Sequence, residues 1–205
     1  LFADEKWLSK KKFKNLYLVG GTWRALFKLH LFQNEYPVHI IHQYSIDNDR
    51  LTKFLDKISS FSKSKLKTVE YISKSRTQYL PYSSIILNEI INLTNPKKIV
   101  CSISGLREGA LVKEHFKDFE NSVMFSKSLD HIAKKRGDLG LTFKKYYDFI
   151  KPVFEGNEHY NKKLLNLACV LSHMDWGLGA FQKAELVFQE TLNTPLLKLT
   201  HKERI

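Results

Sequence analysis

The hydrophobic pattern changes character once along the chain. Up to about residue 118, short apolar runs bounded by Gly, Pro and Asn alternate with stretches of helical periodicity; beyond it only the helical periodicity continues. The first part predicts a strand near Leu16–Val19, a helix over Thr22–Gln33 and an extended segment at Val38–Tyr44 after Pro37. Helices follow at Asp49–Ser60 and Pro81–Leu93, then a strand at Lys98–Ile103 and a helix at Leu106–Phe116. Pro81 suits a first helical turn, Ile85, Ile86, Leu87, Ile90 and Ile91 form a broad apolar face, and Asn95-Pro96 is a stop. This β-α-β-α-α-β-α order implies a sheet with covering helices. The second part predicts helices at Ser122–Arg136, Leu141–Phe154, Tyr160–Ser172 and Phe181–Leu192, with Gly137, Gly140 and Gly156-Asn157 as turn signals. The expected architecture is α/β followed by all-α, in two units, 1–118 and 119–205.

Both main strands run into the same device. Leu16–Val19 leads to Gly20-Gly21-Thr22 and a helix with Arg24 in its first turn; Lys98–Ile103 leads to Ser104-Gly105-Leu106-Arg107-Glu108-Gly109. The first amides of a helix have no intrahelical partner and its N-terminus is positive, so a strand–Gly–helix elbow suits an oxyanion. Gly20 and Gly21 let the main chain approach a phosphate closely, and Thr22 can cap the helix and donate a hydroxyl. Arg24 and Arg107 add bidentate charge. A lone Gly-Gly pair after a strand is more simply a tight turn, and the second elbow narrows that gap without closing it.

Three blocks in order, Val19-Gly20-Gly21-Thr22-Trp23-Arg24-Ala25-Leu26, Arg76 with Tyr79-Leu80-Pro81-Tyr82, and Ser104-Gly105-Leu106-Arg107-Glu108-Gly109, resemble the second half of the exopolyphosphatase / guanosine pentaphosphate phosphohydrolase (Ppx/GppA phosphatase) family. Ala168–Trp176 stands where that family's helical, HD-like domain has its signature. The resemblance runs from about Trp7 to the C-terminus. It implies a partial actin-like (ribonuclease H-like) second domain over 1–118 and a truncated HD-like helical domain over 119–205. It also implies hydrolysis of a terminal phosphoanhydride, in inorganic polyphosphate or guanosine pentaphosphate. Phosphate or cleft contacts would come from Gly20, Gly21, Thr22, Arg24, Arg76, Ser104, Gly105 and Arg107.

Family members begin with an actin-like first domain that carries a catalytic carboxylate and Asp-Gly-rich loops for metal and phosphate, and no segment here resembles these. The chain is therefore expected to be a fragment with no catalytic residue of its own and no measurable activity alone. Mg²⁺ would belong to the complete family enzyme, with ligands outside this chain. Three readings stay open: the enzyme's second half, working with a separate chain that carries the first domain; a non-catalytic polyphosphate- or nucleotide-binding module; and a decayed remnant. A homodimer is a further expectation.

Composition changes this picture little. A hydrophobic fraction of 43% over 205 residues supports a real core, and no apolar run reaches membrane-spanning length. With no secretory leader at Leu1, cytoplasm is the expected location. The net charge of +12 would ordinarily suggest nucleic acid, yet only six of the 33 basic residues are Arg. Runs such as Lys10-Lys11-Lys12, Lys63-Ser64-Lys65 and Lys134-Lys135-Arg136 lack interleaved aromatics and read as solvated surface, so no specific nucleic-acid partner is expected. Cys101 and Cys169 read as buried small hydrophobes. His39 and His42 fall on opposite faces of an extended segment and read as structural or cleft-lining. Aligned on Leu171 and Trp176, Ser172 and His173 occupy the family's His-Asp metal positions and Asp175 falls two residues late, so no metal is expected there. Glu108 reads as a helix cap or an ion-pair partner of Arg107 or Arg76, and Arg76 as an anion contact or a surface salt bridge.

Overall fold

A computed structural model describes residues 13–115, 121–135, 142–172, 179–193 and 199–205. The Lys10-Lys11-Lys12 run, Gly137, Gly140, His173, Asp175 and Trp176 lie outside the described residues. The chain divides into two compact units, Leu1–Glu114 and His115–Ile205.

In the first unit the order is β1 (Asn15–Val19), α1 (Gly21–Gln33), β2 (Ser45–Asp47), α2 (Asn48–Ser59), α3 (Lys63–Lys67), α4 (Lys74–Thr77), α5 (Leu80–Thr94), β3 (Lys98–Ser102) and α6 (Leu106–His115). The sheet runs β1-β3-β2, with β1 parallel to β3 and β2 antiparallel to it. Leu18 pairs with Cys101 and Ile46 with Ile99, so these alternate positions share one face, and all four belong to the first core. Against that face pack Leu26 and Phe27 of α1, Leu51 and Leu55 of α2, and Leu80, Leu87 and Ile91 of α5, all buried. Tyr17 and Val19, on the opposite face of β1, are exposed.

Several expectations are corrected. Residues 38–44 do not form a strand. Gln43 has a left-handed φ of 59° and the Tyr44 amide turns back to the Ile41 carbonyl, so Gln43 and Tyr44 bond to Cys101 irregularly and the regular ladder begins at Ser45. On α5 the buried stripe is Leu80, Ser83, Ser84, Leu87, Ile91 and Thr94, while Ile85 and Ile86 face outward. The two serines hide their hydroxyls on helix carbonyls, Ser83 on Tyr79 and Ser84 on Leu80, both at 2.8 Å, so they pass as small core residues. The short helices α3 and α4 have no apolar periodicity of their own. Local capping starts α3, with Ser62 Oγ accepting from the Lys65 amide, while α4 is a single turn closed by the Thr77 amide on the Ser73 carbonyl.

Among the described residues the second unit is helical: α7 (Asn121–Lys135), α8 (Thr142–Phe154), α9 (Lys162–Ser172), α10 (Ala180–Asn193) and α11 (His201–Arg204). Phe125, Leu129, Phe143, Tyr147, Leu167, Val170 and Leu199 form its core. Gly156, at φ 97°, ends the α8 turn as its sequence suggests. The last short helix is held by a full capping box, Thr200 with Glu203, and Glu203 is also bound by Lys163 at 2.9 Å.

Candidate anion-binding site

Val19 lies opposite Ser102 in the parallel β1–β3 pair, so both strands end at the same edge of the sheet and the two elbows are neighbours. A Cβ on Gly105 would stand 3.7 Å from Val19 Cγ1, which measures how closely the second turn approaches the first strand. This is the edge of a parallel pair at which ligands of open α/β sheets bind.

At the α1 entrance, Gly20 takes φ 135° and ψ 160°, a region open essentially to glycine alone. It is also the N-cap. Thr22 is the second residue of the helix and makes no cap hydrogen bond, which corrects the expectation that it caps α1. The first backbone bond of the helix is Arg24 N–H to the Gly20 carbonyl at 3.1 Å, and the first turn holds no acidic side chain. The preceding amides and the positive end of the dipole are thus uncompensated by the helix itself. Arg76 arrives from α4: a Cβ on Gly21 would meet its Cζ and Nη2 at 2.9 Å, so the guanidinium occupies the space that a side chain on Gly21 would need.

The α6 entrance is different, because its turn is closed on itself. Ser102 Oγ accepts from the Ser104 amide at 3.1 Å and donates to the Ser104 carbonyl at 3.0 Å. The Gly105 amide donates to Glu108 Oε2 at 2.6 Å, and the Gly105 carbonyl accepts from the Gly109 amide at 3.0 Å. The Ile103 amide donates to His42 Nδ1 at 3.3 Å. Arg24 donates from Nε to the Ser102 carbonyl at 3.0 Å and from Nη2 to the Ile103 carbonyl at 2.6 Å. The amides of Ser104 and Gly105 therefore spend their hydrogens internally, and Arg24 spends two of its N–H groups on backbone.

Glu108 is the cap that its position suggested. The Gly105 amide, then its own amide, hold its carboxyl below the usual range, with Arg107 and Arg24 adding smaller electrostatic help. No ion pair joins Glu108 to Arg76 or Arg107 among the described residues. Behind the turn, Cys101 is fully buried and its thiol is pushed up to about 12 by burial, with Arg24 opposing weakly; it is packing, not a nucleophile. His42 is the site neighbour that sequence placed only as structural or cleft-lining, and its pairing with Ile103 had no local sequence signal. His39 instead lies against Phe32, ring centroids 4.4 Å apart.

The donor set does not suit Mg²⁺. The ion requires several hard oxygen ligands, whereas this edge offers one carboxylate already held by backbone amides, beside two guanidinium groups. No group of three His, Cys, Asp or Glu that could hold a metal ion occurs among the described residues, and no described helix is long and apolar enough to cross a membrane.

Two glycine-hinged turns thus meet at one edge of a mixed sheet in an α/β unit, with guanidinium groups reaching both. A model of the Ppx/GppA phosphatase family matches residues 3–117, more than half of the chain, and the chain belongs to that family. Membership places it among phosphatase-type hydrolases. None of the curated proteins matches the chain.

Proposed function

We propose that the first unit is the second actin-like domain of an exopolyphosphatase-type hydrolase. In this reading it holds the terminal phosphates of inorganic polyphosphate or guanosine pentaphosphate at the α1 entrance. The observation that carries this is the Arg76 guanidinium beside Gly21, next to a helix N-terminus with neither a side-chain cap nor an acidic residue in its first turn. Phosphate oxygens would take the amides of Gly21 and Thr22, the Thr22 hydroxyl and Arg76. Arg107, in the first turn of the neighbouring helix, would draw the rest of the polyanion along the same edge. Ser104 and Gly105 form the wall of the cleft, and Arg24 stands between wall and floor.

Phosphoanhydride hydrolysis depends mainly on positioning and charge stabilisation, which this edge supplies. The water-activating carboxylate and Mg²⁺ would come from the first-domain portion that the family resemblance implies, carried on a separate segment or chain. The helical unit, 119–205, is read as HD-like and without a metal role.

Titration of the purified chain with inorganic tripolyphosphate and with guanosine pentaphosphate tests this, with phosphate release measured in parallel. Saturable binding without turnover is expected, weakened about tenfold or more in Arg76→Gln, as befits the loss of a charge-assisted contact. Absence of saturable binding overturns the site. Robust turnover by the chain alone overturns the assignment of water activation to another segment.

A further inference from the structure

We infer that Arg24 is a positioning residue: it acts through the Ser102–Ile103 peptide and the carbonyl that follows it, fixing the 102–105 turn against α1, and does not itself take the anion. The inference rests on the reading of the α1 entrance for its functional consequence, but its geometry stands apart from that reading. The guanidinium fork spans two successive carbonyls, Ser102 through Nε at 3.0 Å and Ile103 through Nη2 at 2.6 Å, 78 and 79 residues away in sequence. The peptide that joins Ser102 to Ile103, whose carbonyl takes Arg24 Nε, gives its amide hydrogen to His42 Nδ1 at 3.3 Å. One peptide unit is therefore gripped on both sides, by α1 through its carbonyl and by the 41–44 segment through its amide.

The post that carries Arg24 is rigid. Ala25, Leu26 and Phe27, the next three residues of α1, are 3%, 0% and 0% exposed. If Arg24 swung to a phosphate, both carbonyls would lose their charged donor, and at the part-buried Ser102 carbonyl the loss costs more than an average hydrogen bond returns. The planar fork also explains why Arg is needed: a lysine ammonium is a point charge that keeps the attraction but cannot hold two adjacent carbonyls in fixed geometry. With the grip in place, the Gly105 turn stays beside the Val19 side chain and the cleft wall keeps its distance from the α1 amides.

The test compares Arg24→Lys, which keeps the charge and loses the fork, with Arg24→Gln, which loses both. It uses the full chain, tripolyphosphate affinity and amide hydrogen exchange. The expected result is that both variants bind tripolyphosphate about tenfold to a hundredfold more weakly, by similar factors. Both also exchange the Ile103 and Gly105 amides at least about tenfold faster, as a locally opened segment does, while the Leu18 and Cys101 amides keep wild-type rates. Near-wild-type affinity in Arg24→Lys with slow turn exchange in both variants means that Arg24 contacts the anion directly, and the inference falls. Faster exchange with unchanged affinity reduces Arg24 to a purely structural tether and also overturns it. If the wild-type chain takes no tripolyphosphate, the reading of the α1 entrance fails together with the functional half of this inference. The grip on Ile103 then still stands or falls on the exchange rates.

Discussion

The entrances of α1 and α6 share one sequence device and end in opposite electrostatic states. Both follow a parallel strand, both turn on glycine, and both place an arginine in the first helical turn. At the third helical position, however, α1 carries Trp23 and α6 carries Glu108. The Glu108 carboxylate folds back onto the Gly105 amide, so α6 supplies its own anion, while α1 supplies none and has Arg76 at its glycine. The helix bodies differ in the same sense. The α1 helix is anchored by Ala25, Leu26, Phe27, Leu29, His30 and Leu31, all buried, whereas Leu106 of α6 is 88% exposed. On the proposed reading, a strand–Gly–helix elbow takes an external anion only where its own first turn leaves it open, and the residue at the third helical position decides that.

The largest expected effect concerns the anchoring of α1. His30 is buried against Phe54 and hydrogen-bonded to the Tyr44 hydroxyl at 3.1 Å; burial, with Arg50 adding repulsion, lowers its pKa from 6.5 to about 4. The unfolded chain takes up a proton below pH 6.5 and the folded chain does not until about pH 4. Stability from this group is therefore complete above 6.5 and declines by about 3 kcal/mol as the pH falls to 4, at roughly 1.4 kcal/mol per unit. Urea denaturation across that range checks it, and His30→Leu should flatten the slope. An unchanged slope in the variant would detach the acid sensitivity from α1.

Next in size is the backbone of the two turns. Gly20→Ala forces a side chain into φ 135° and should cost about 1–3 kcal/mol in the same assay. Gly105→Ala meets the Glu108 carboxylate at 3.2 Å and Val19 Cγ1 at an ordinary 3.7 Å, with no left-handed φ to strain it, and should cost clearly less. Equal costs would erase the distinction between a strained and a merely capped turn. Gly21→Ala sharpens the comparison further. Its Cβ displaces the flexible end of Arg76, so stability should hardly change while tripolyphosphate affinity falls several-fold, about 1 kcal/mol, by isothermal titration. The smallest effect belongs to the α6 body: a Cβ on Gly109 meets nothing within 4 Å, and Gly109→Ala should stabilise by about 0.5–1 kcal/mol with anion affinity unchanged.

Much of this architecture was legible in the residues, because periodicity and punctuation agree locally. The Gly-Gly hinge, the Pro81 start and the Asn95-Pro96 stop delimit α1 and α5 to within a residue or two of their observed ends. Val38–Tyr44 misled because its apolar spacing is that of a strand while one left-handed residue, Gln43, breaks the extension; that φ has no signature in a glutamine. Ile85 and Ile86 misled because an all-round apolar helix does not reveal which side the sheet covers. At the site, the residue types were readable and their pairings were not. Arg24 reads from the sequence as an anion contact, and nothing in its neighbourhood announces its bonds to two carbonyls 78 and 79 residues downstream. Glu108 was readable as a cap, since the third position of a helix after a glycine N-cap is a local matter.

The central claim, that the α1 entrance with Arg76 is the open anion site while the α6 entrance is filled by Glu108, is tested most directly by following backbone amide and arginine Nε resonances during a tripolyphosphate titration of the full chain. The account predicts saturating shifts concentrated on Gly21, Thr22, Trp23 and Arg76 Nε, with Gly105 and Arg24 Nε nearly unmoved. Shifts concentrated at Gly105 and Arg24, or spread over the lysine-rich surface with no focus at Gly21, would contradict it.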